Sequence, residues 1–170
     1  GRGLLVSNEI DPKRAAVLSR NLERMAAANV LVLNEHPAKL AERFPAAFDR
    51  VLVDAPCSGE GMFRKEEAAV AGWSEEQVAA CARRQREILE SVAAMLRPGG
   101  RLVYSTCTFA PEENEGVVSV FLLAHPDFSV AAVDAPWFSP GRPDWVSGPA
   151  PGLERTFRLW PHKLVGEGHF

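Results

Sequence analysis

Only three cysteines occur in this 170-residue chain, and Cys57, Cys81 and Cys107 show no CxxC spacing. An odd count without that spacing argues against a disulfide framework and a zinc knuckle, and fits a reducing compartment. Net positive charge is also lacking: 19 basic residues face 22 acidic ones, for a formal net charge of −3. No global positive field announces a polyanionic partner, although a local basic patch is enough to hold phosphates. The densest basic stretches are Arg64-Lys65 and Arg83-Arg84-Gln85-Arg86, which read alone are solvated faces. The chain shows no apolar run long enough to cross a bilayer, no signal peptide and no repeat. No Ser-His-Asp order stands out and the four histidines do not pair at metal-ligand spacing, so no metal is expected. The expectation is a soluble, cytoplasmic protein.

What the sequence does contain is a set of short apolar runs: Leu4 to Val6, Val30 to Leu33, Val51 to Val53 and Leu102 to Tyr104. None alternates strictly with polar residues, as expected of strands covered on both faces. Between the first two, Asp11 is placed to cap a helix whose first residue is Pro12, with an inward stripe of Leu18, Leu22 and Met25. A longer helix starts at "SEEQ", where Ser74 and Gln77 fit a capping box. Its stripe of Cys81, Ile88, Val92 and Leu96 runs to a stop at Pro98-Gly99-Gly100. A further helix is predicted to open at Pro111 and to turn Val117, Val118, Phe121 and Leu122 inward. Residues 125–155 are rich in Pro, Trp and Gly and read as an irregular loop-rich segment, after which "RTFRLWPH" returns as a strand.

Alternating strands and helices imply an α/β fold with a mostly parallel sheet, helices on both faces and right-handed crossovers. In such sheets the ligand site lies outside the carboxyl ends of the strands. The polar residues at those ends are Ser7-Asn8-Glu9, Asn34-Glu35-His36, Asp54 with Cys57, and Ser105-Thr106-Cys107. A glycine-rich cofactor loop is missing before the first strand, and the acidic residue after that strand usually sits one unit downstream of such a loop. The expectation is a partial catalytic domain over residues 1–170, with its first βα unit missing.

Cys81 lies on a helical stripe and reads as a small apolar filler. Cys57 and Cys107 sit at strand ends among polar neighbours, where a thiol is readily activated as a nucleophile. "SGEG" (Ser58 to Gly61) lacks the spacing of a Walker loop and reads as a flexible turn near substrate.

Two stretches carry a specific resemblance. "DAPCSGEGMFRK" (Asp54 to Lys65) and "YSTCTFAPEENE" (Tyr104 to Glu115) resemble the two motifs of the NOL1/NOP2/Sun family of RNA cytosine-5 methyltransferases, with the bacterial ribosomal RNA branch as the best match. With "RLWPHKLVGEGHF" near the end, the resemblance covers almost the whole chain. It implies a Rossmann-like methyltransferase fold, S-adenosyl-L-methionine as methyl donor and an RNA substrate, most plausibly 16S ribosomal RNA. It also implies that Cys107 attacks C6 of cytosine, that Asp54 engages the N3/N4 edge of the base beside the cofactor, and that Cys57 assists product release. Glu9 matches the acidic residue that accepts from the ribose hydroxyls of the cofactor. His36 departs from the family pattern, which often has Asp at that adenine-side position. DNA cytosine-5 methyltransferases use the thiol of a Pro-Cys motif, so Cys57 competes with Cys107 for the nucleophile's role. The alternative from a different class is a non-catalytic RNA-binding scaffold on the same fold, or an inactive fragment; retention of both thiols argues against a scaffold for the parent protein.

Overall fold

The computed structural model describes residues 3–65, 67–163 and 166–170. Gly1-Arg2 of the expected opening, and Leu164-Val165 of the tail motif, lie outside the described residues. The chain order is β1 (Leu5–Asn8), α1 (Pro12–Arg24), β2 (Val30–Leu33), α2 (Pro37–Arg43), β3 (Phe48–Asp54), α3 (Glu67–Gly72), α4 (Glu75–Met95), β4 (Leu96–Ser105), α5 (Glu115–Ala124), β5 (Ser139–Pro140) and β6 (Phe157–Arg158).

β1 and β2 form one parallel ladder, and β3 and β4 form a second. No hydrogen bonding joins the two ladders among the described residues. β5 and β6 make a small antiparallel pair, the strand expected at "RTFRLWPH". Each parallel pair needs a crossover; α1 supplies the first and α3 with α4 the second, while α2 lies between β2 and β3.

The helix starts follow from their caps. The Asp11 carboxylate accepts from the Arg14 amide at 2.9 Å, and Pro12 tolerates the first position because its missing N–H would have no helical partner there. The Ser74 hydroxyl accepts from the Gln77 amide at 3.2 Å, the first half of a capping box. α1 turns Ala15, Leu18 and Leu22 inward, but Met25 falls at the C-cap and is exposed. The stripe ends one turn earlier than its spacing implied.

The core lies on one face of the β3–β4 ladder. Val53 and Ala55 pack with Leu40 of α2 and with Val92 and Met95 of α4. A second cluster joins Ala82 and Leu89 of α4 to Val117 and Phe121 of α5, and Leu102 and Tyr104 touch both clusters. The alternate residues point the other way: Leu52 is 71% and Val103 46% exposed. The expectation of strands covered on both faces is therefore not met on that side among the described residues.

Two boundaries moved. β4 begins at Leu96, directly at the C-cap of α4, and the Pro98-Gly99-Gly100 stretch is a register irregularity inside it, with Gly99 at φ +75°. α5 opens at Glu115 rather than Pro111, because residues 111–114 form a turn in which the Glu113 and Asn114 side chains are committed to bonds elsewhere. Residues 125–155 hold β5 and two short 3-10 turns, Pro143–Trp145 and Leu153–Arg155.

Candidate active site

Asp54 closes β3 and stands opposite Ser105, which closes β4. The ladder extends one bond further, from the Ala55 amide to the Ser105 carbonyl at 2.9 Å. Two loops then leave the same edge of adjacent parallel strands, one carrying Cys57 and the other Cys107. The two sulfurs stand 3.2 Å apart and both cysteines are free thiols. Each is partly buried, while Asp54 at the same edge is exposed.

The electrostatics of the pair are asymmetric. The hydrogen bond from Cys57 brings the Cys107 thiol down to about 7; desolvation and the charges of Asp54 and Glu113 oppose the shift. Cys57 moves far upward, first because its hydrogen bond with Cys107 holds the proton and then because it is desolvated. Of the two thiols, Cys107 is the one whose ionised form this pairing favours, with Cys57 as the proton-bearing partner. Cys81 is buried on α4 and its thiol is raised by desolvation, as befits a core filler.

Thr106, next to Cys107, faces the interior. It is fully buried, and its hydroxyl donates to the Asn114 side-chain carbonyl at 2.6 Å. The "SGEG" turn is likewise held rather than loose. The Ser58 and Thr108 hydroxyls are 2.9 Å apart, the Glu60 carboxylate accepts from the Thr108 hydroxyl at 3.1 Å and the Phe109 amide at 2.9 Å, and the Gly61 amide donates to the Cys107 carbonyl at 2.8 Å. A groove of about 450 Å³ runs alongside, lined by Glu60, Trp73, Val78, Phe109 and Pro111 among others.

Sequence reasoning did not single out Gln85, Glu113 and Asn114, which are fully buried and hydrogen-bonded to the two cysteine loops. Gln85 sits inside a basic run, yet it shares a helical stripe with Cys81, Ala82, Leu89 and Val92, all of them buried. That spacing was the available signal. Arg83, Arg84 and Arg86 are exposed, in line with the solvated-face expectation for that run.

Glu9 follows β1 at the carboxyl edge of the other ladder. One of its carboxylate oxygens accepts from the Asp11 amide and the other pairs with the Arg14 guanidinium, both at 3.0 Å. A carboxylate oriented by two donors still has acceptor capacity on both oxygens, which fits a vicinal diol. His36 caps α2 by accepting the Ala38 amide on Nδ1 at 3.3 Å, so only Nε2 is left to face a ligand. Among the described residues no group of three or more His, Cys, Asp or Glu side chains is placed to hold a metal ion, and no helix is long and apolar enough to cross a membrane.

Solved structures share this fold. The crystal structure of PH0851 superposes with a TM-score of 0.89 at 33% identity, covering 99% of this chain and 36% of that one. The structure of NSun6 from Pyrococcus horikoshii with SFG gives a TM-score of 0.79 at 28% identity, covering 99% and 40%. The fold is thus the Rossmann-like one of S-adenosylmethionine-dependent methyltransferases. Residues 1–170 match the family described as 16S rRNA methyltransferase RsmB/F, and the chain belongs to that family. Ribosomal RNA small subunit methyltransferase F of Aeromonas salmonicida is 37% identical over 169 residues, or 99% of this chain. The chain spans 34% of that relative's length.

Proposed function

We propose that this chain carries the thiol chemistry of cytosine C5 methylation in RNA, with S-adenosylmethionine as methyl donor and ribosomal RNA as substrate. The observation that carries the proposal is the sulfur pair, 3.2 Å apart, with Cys107 lowered to about 7 and Cys57 raised. Family membership and a solved relative holding SFG, an analogue of the donor, support the cofactor; the relatives' names support the RNA.

C5 of cytosine is a poor nucleophile, so the base must be activated before it can take a methyl group. The Cys107 thiolate adds to C6, and the electron pair displaced from the C5–C6 bond builds at C5. Asp54 engages the N3/N4 edge of a base extruded to the carboxyl edge of the sheet. S-adenosylmethionine, when bound, supplies the electrophilic methyl group. Glu9 holds its ribose by accepting from the hydroxyls. A solvent water then takes the C5 proton, the C5–H electron pair re-forms the C5–C6 double bond, and the C6–S bond breaks with its electron pair returning to Cys107. Cys57, whose raised pKa keeps it protonated, donates to that re-forming thiolate and favours release.

The test is a gel of denatured protein–RNA adducts, using a methylating preparation of the protein that carries this chain. Cys107→Ala abolishes both turnover and adduct. Cys57→Ala still adds to the base but stalls before elimination, so adduct accumulates. An adduct with Cys107→Ala and none with Cys57→Ala reverses the two roles, and no adduct with either variant or with the unaltered protein rejects the covalent route.

A further inference from the structure

Two thiols on separate loops hold a 3.2 Å separation that neither strand end fixes by itself. Each loop is gripped on both sides of its cysteine. The Ser58 amide, after Cys57, donates to both Glu113 carboxylate oxygens at 3.1 and 3.3 Å. The Gln85 amide nitrogen donates to Glu113 at 2.7 Å and to the Pro56 carbonyl, before Cys57, at 2.9 Å. Asn114 does the same for the other loop. Its side-chain carbonyl accepts from the Thr106 hydroxyl at 2.6 Å, and its amide nitrogen donates to the Thr108 carbonyl at 3.0 Å.

The two grips are consecutive residues, both fully buried, and Tyr104 of β4 ties them to the sheet by donating to the Glu113 carbonyl at 2.7 Å. Gln85 is used for its donors alone: its side-chain oxygen is buried with no partner.

We propose that Glu113 and Asn114 are positioning residues that set the separation of Cys57 and Cys107, Glu113 with Gln85 holding one loop and Asn114 the other. This rests on the thiol chemistry proposed above, but its test needs neither RNA nor cofactor, so the two stand or fall separately. The titratable and charged groups around Cys107 are Cys57 and Asp54 on the β3 side, Glu60 on the turn, Glu113, and Arg158, whose guanidinium donates to the Phe109 carbonyl at 3.1 Å. If Glu113 acted only through its charge, removing that charge would lower the Cys107 midpoint. If it acts by holding the Cys57 loop, shortening its reach weakens the thiol hydrogen bond and raises the midpoint.

The experiment measures alkylation of Cys107 by iodoacetamide against pH, resolved by peptide mass spectrometry, in the protein that carries this chain. In the unaltered chain the midpoint lies below that of an ordinary thiol. Glu113→Asp keeps the charge but retracts it, and the midpoint rises by about one pH unit toward the ~8.5 of an ordinary thiol. Glu113→Gln keeps the reach to the Ser58 amide, and the midpoint stays in place or falls. With Cys57→Ala already present, Glu113→Asp adds no further rise. The proposal is overturned if Glu113→Asp leaves the midpoint where it was, if the Asp and Gln variants shift it alike, or if the rise persists without Cys57. Should Glu113→Asp fail to fold, Gln85→Met, which releases the Pro56 carbonyl, carries the same expected rise and the same refutation.

Discussion

A hydrogen at Gly61 occupies a place where a methyl group has no room. A Cβ there would stand 2.5 Å from the Gly168 carbonyl oxygen and 2.7 Å from that of Cys107. Both are backbone atoms, so no flexible side chain can give way. Gly61→Ala is expected to destabilise the fold by about 1–3 kcal/mol, measured by denaturant unfolding. Arg158 and Glu115 make a fully buried ion pair, with the Arg158 Nε donating to Glu115 at 2.7 Å and a second bond from Nη2. Arg158 also lies over the rings of Trp145 and Trp160. Removing one member leaves a charge buried, so Arg158→Met should cost about 3–5 kcal/mol by the same measurement. Desolvation raises the Glu113 carboxyl above its ordinary range. Folding therefore favours its protonated form, and that contribution fades as pH rises through the raised value. Thermal melts from pH 4 to 7 should show Glu113→Gln gaining stability relative to the unaltered chain as pH rises. The cysteines and Asp54 were legible because reactive groups at strand ends break an apolar pattern. Glu113, Asn114 and Glu115 were not, because burial of consecutive polar residues depends on partners far along the chain and leaves no period to read.

At the scale of elements, caps and stripes carried most of the legible information. Asp11 and Ser74 satisfy amide groups that the first helical turn leaves open, and both are visible as residue types at fixed offsets. Ser74→Ala should cost about 1 kcal/mol, read from a thermal melt. Leu89, only 1% exposed between the α4 and α5 surfaces, is a stronger case. Leu89→Ala is expected to cost about 2–5 kcal/mol, because transfer and cavity terms add. The start of α5 escaped the sequence because Pro111 is a good first helical residue, yet tertiary bonds hold the turn after it. The Gly116 amide donates to the Pro111 carbonyl at 2.7 Å, a wider turn than a helix makes, and Asn114 lies at φ −100°, ψ −98°. β4 was longer than its apolar run for a related reason. Its opening residues pair through an irregular register that composition does not encode.

Across the whole molecule, the order of strands and helices made the α/β class readable, while the pairing of strands was not. Parallel neighbours are chosen by contacts between distant segments, and short apolar runs carry no address for their partners. The outward face of the β3–β4 ladder sets how these 170 residues, handled by themselves, behave at high concentration. Leu52 at 71% and Val103 at 46% exposure sit side by side on adjacent strands, and Leu5 of β1 is 54% exposed. Apolar strand residues left open to water invite other copies of the molecule to cover them. Colloidal stability should therefore fall with concentration, and more steeply in sulfate, which strengthens apolar association. Leu52→Lys places a charge on that face without touching the core, so static light scattering of the variant should stay flat at concentrations where the unaltered chain already scatters as clusters.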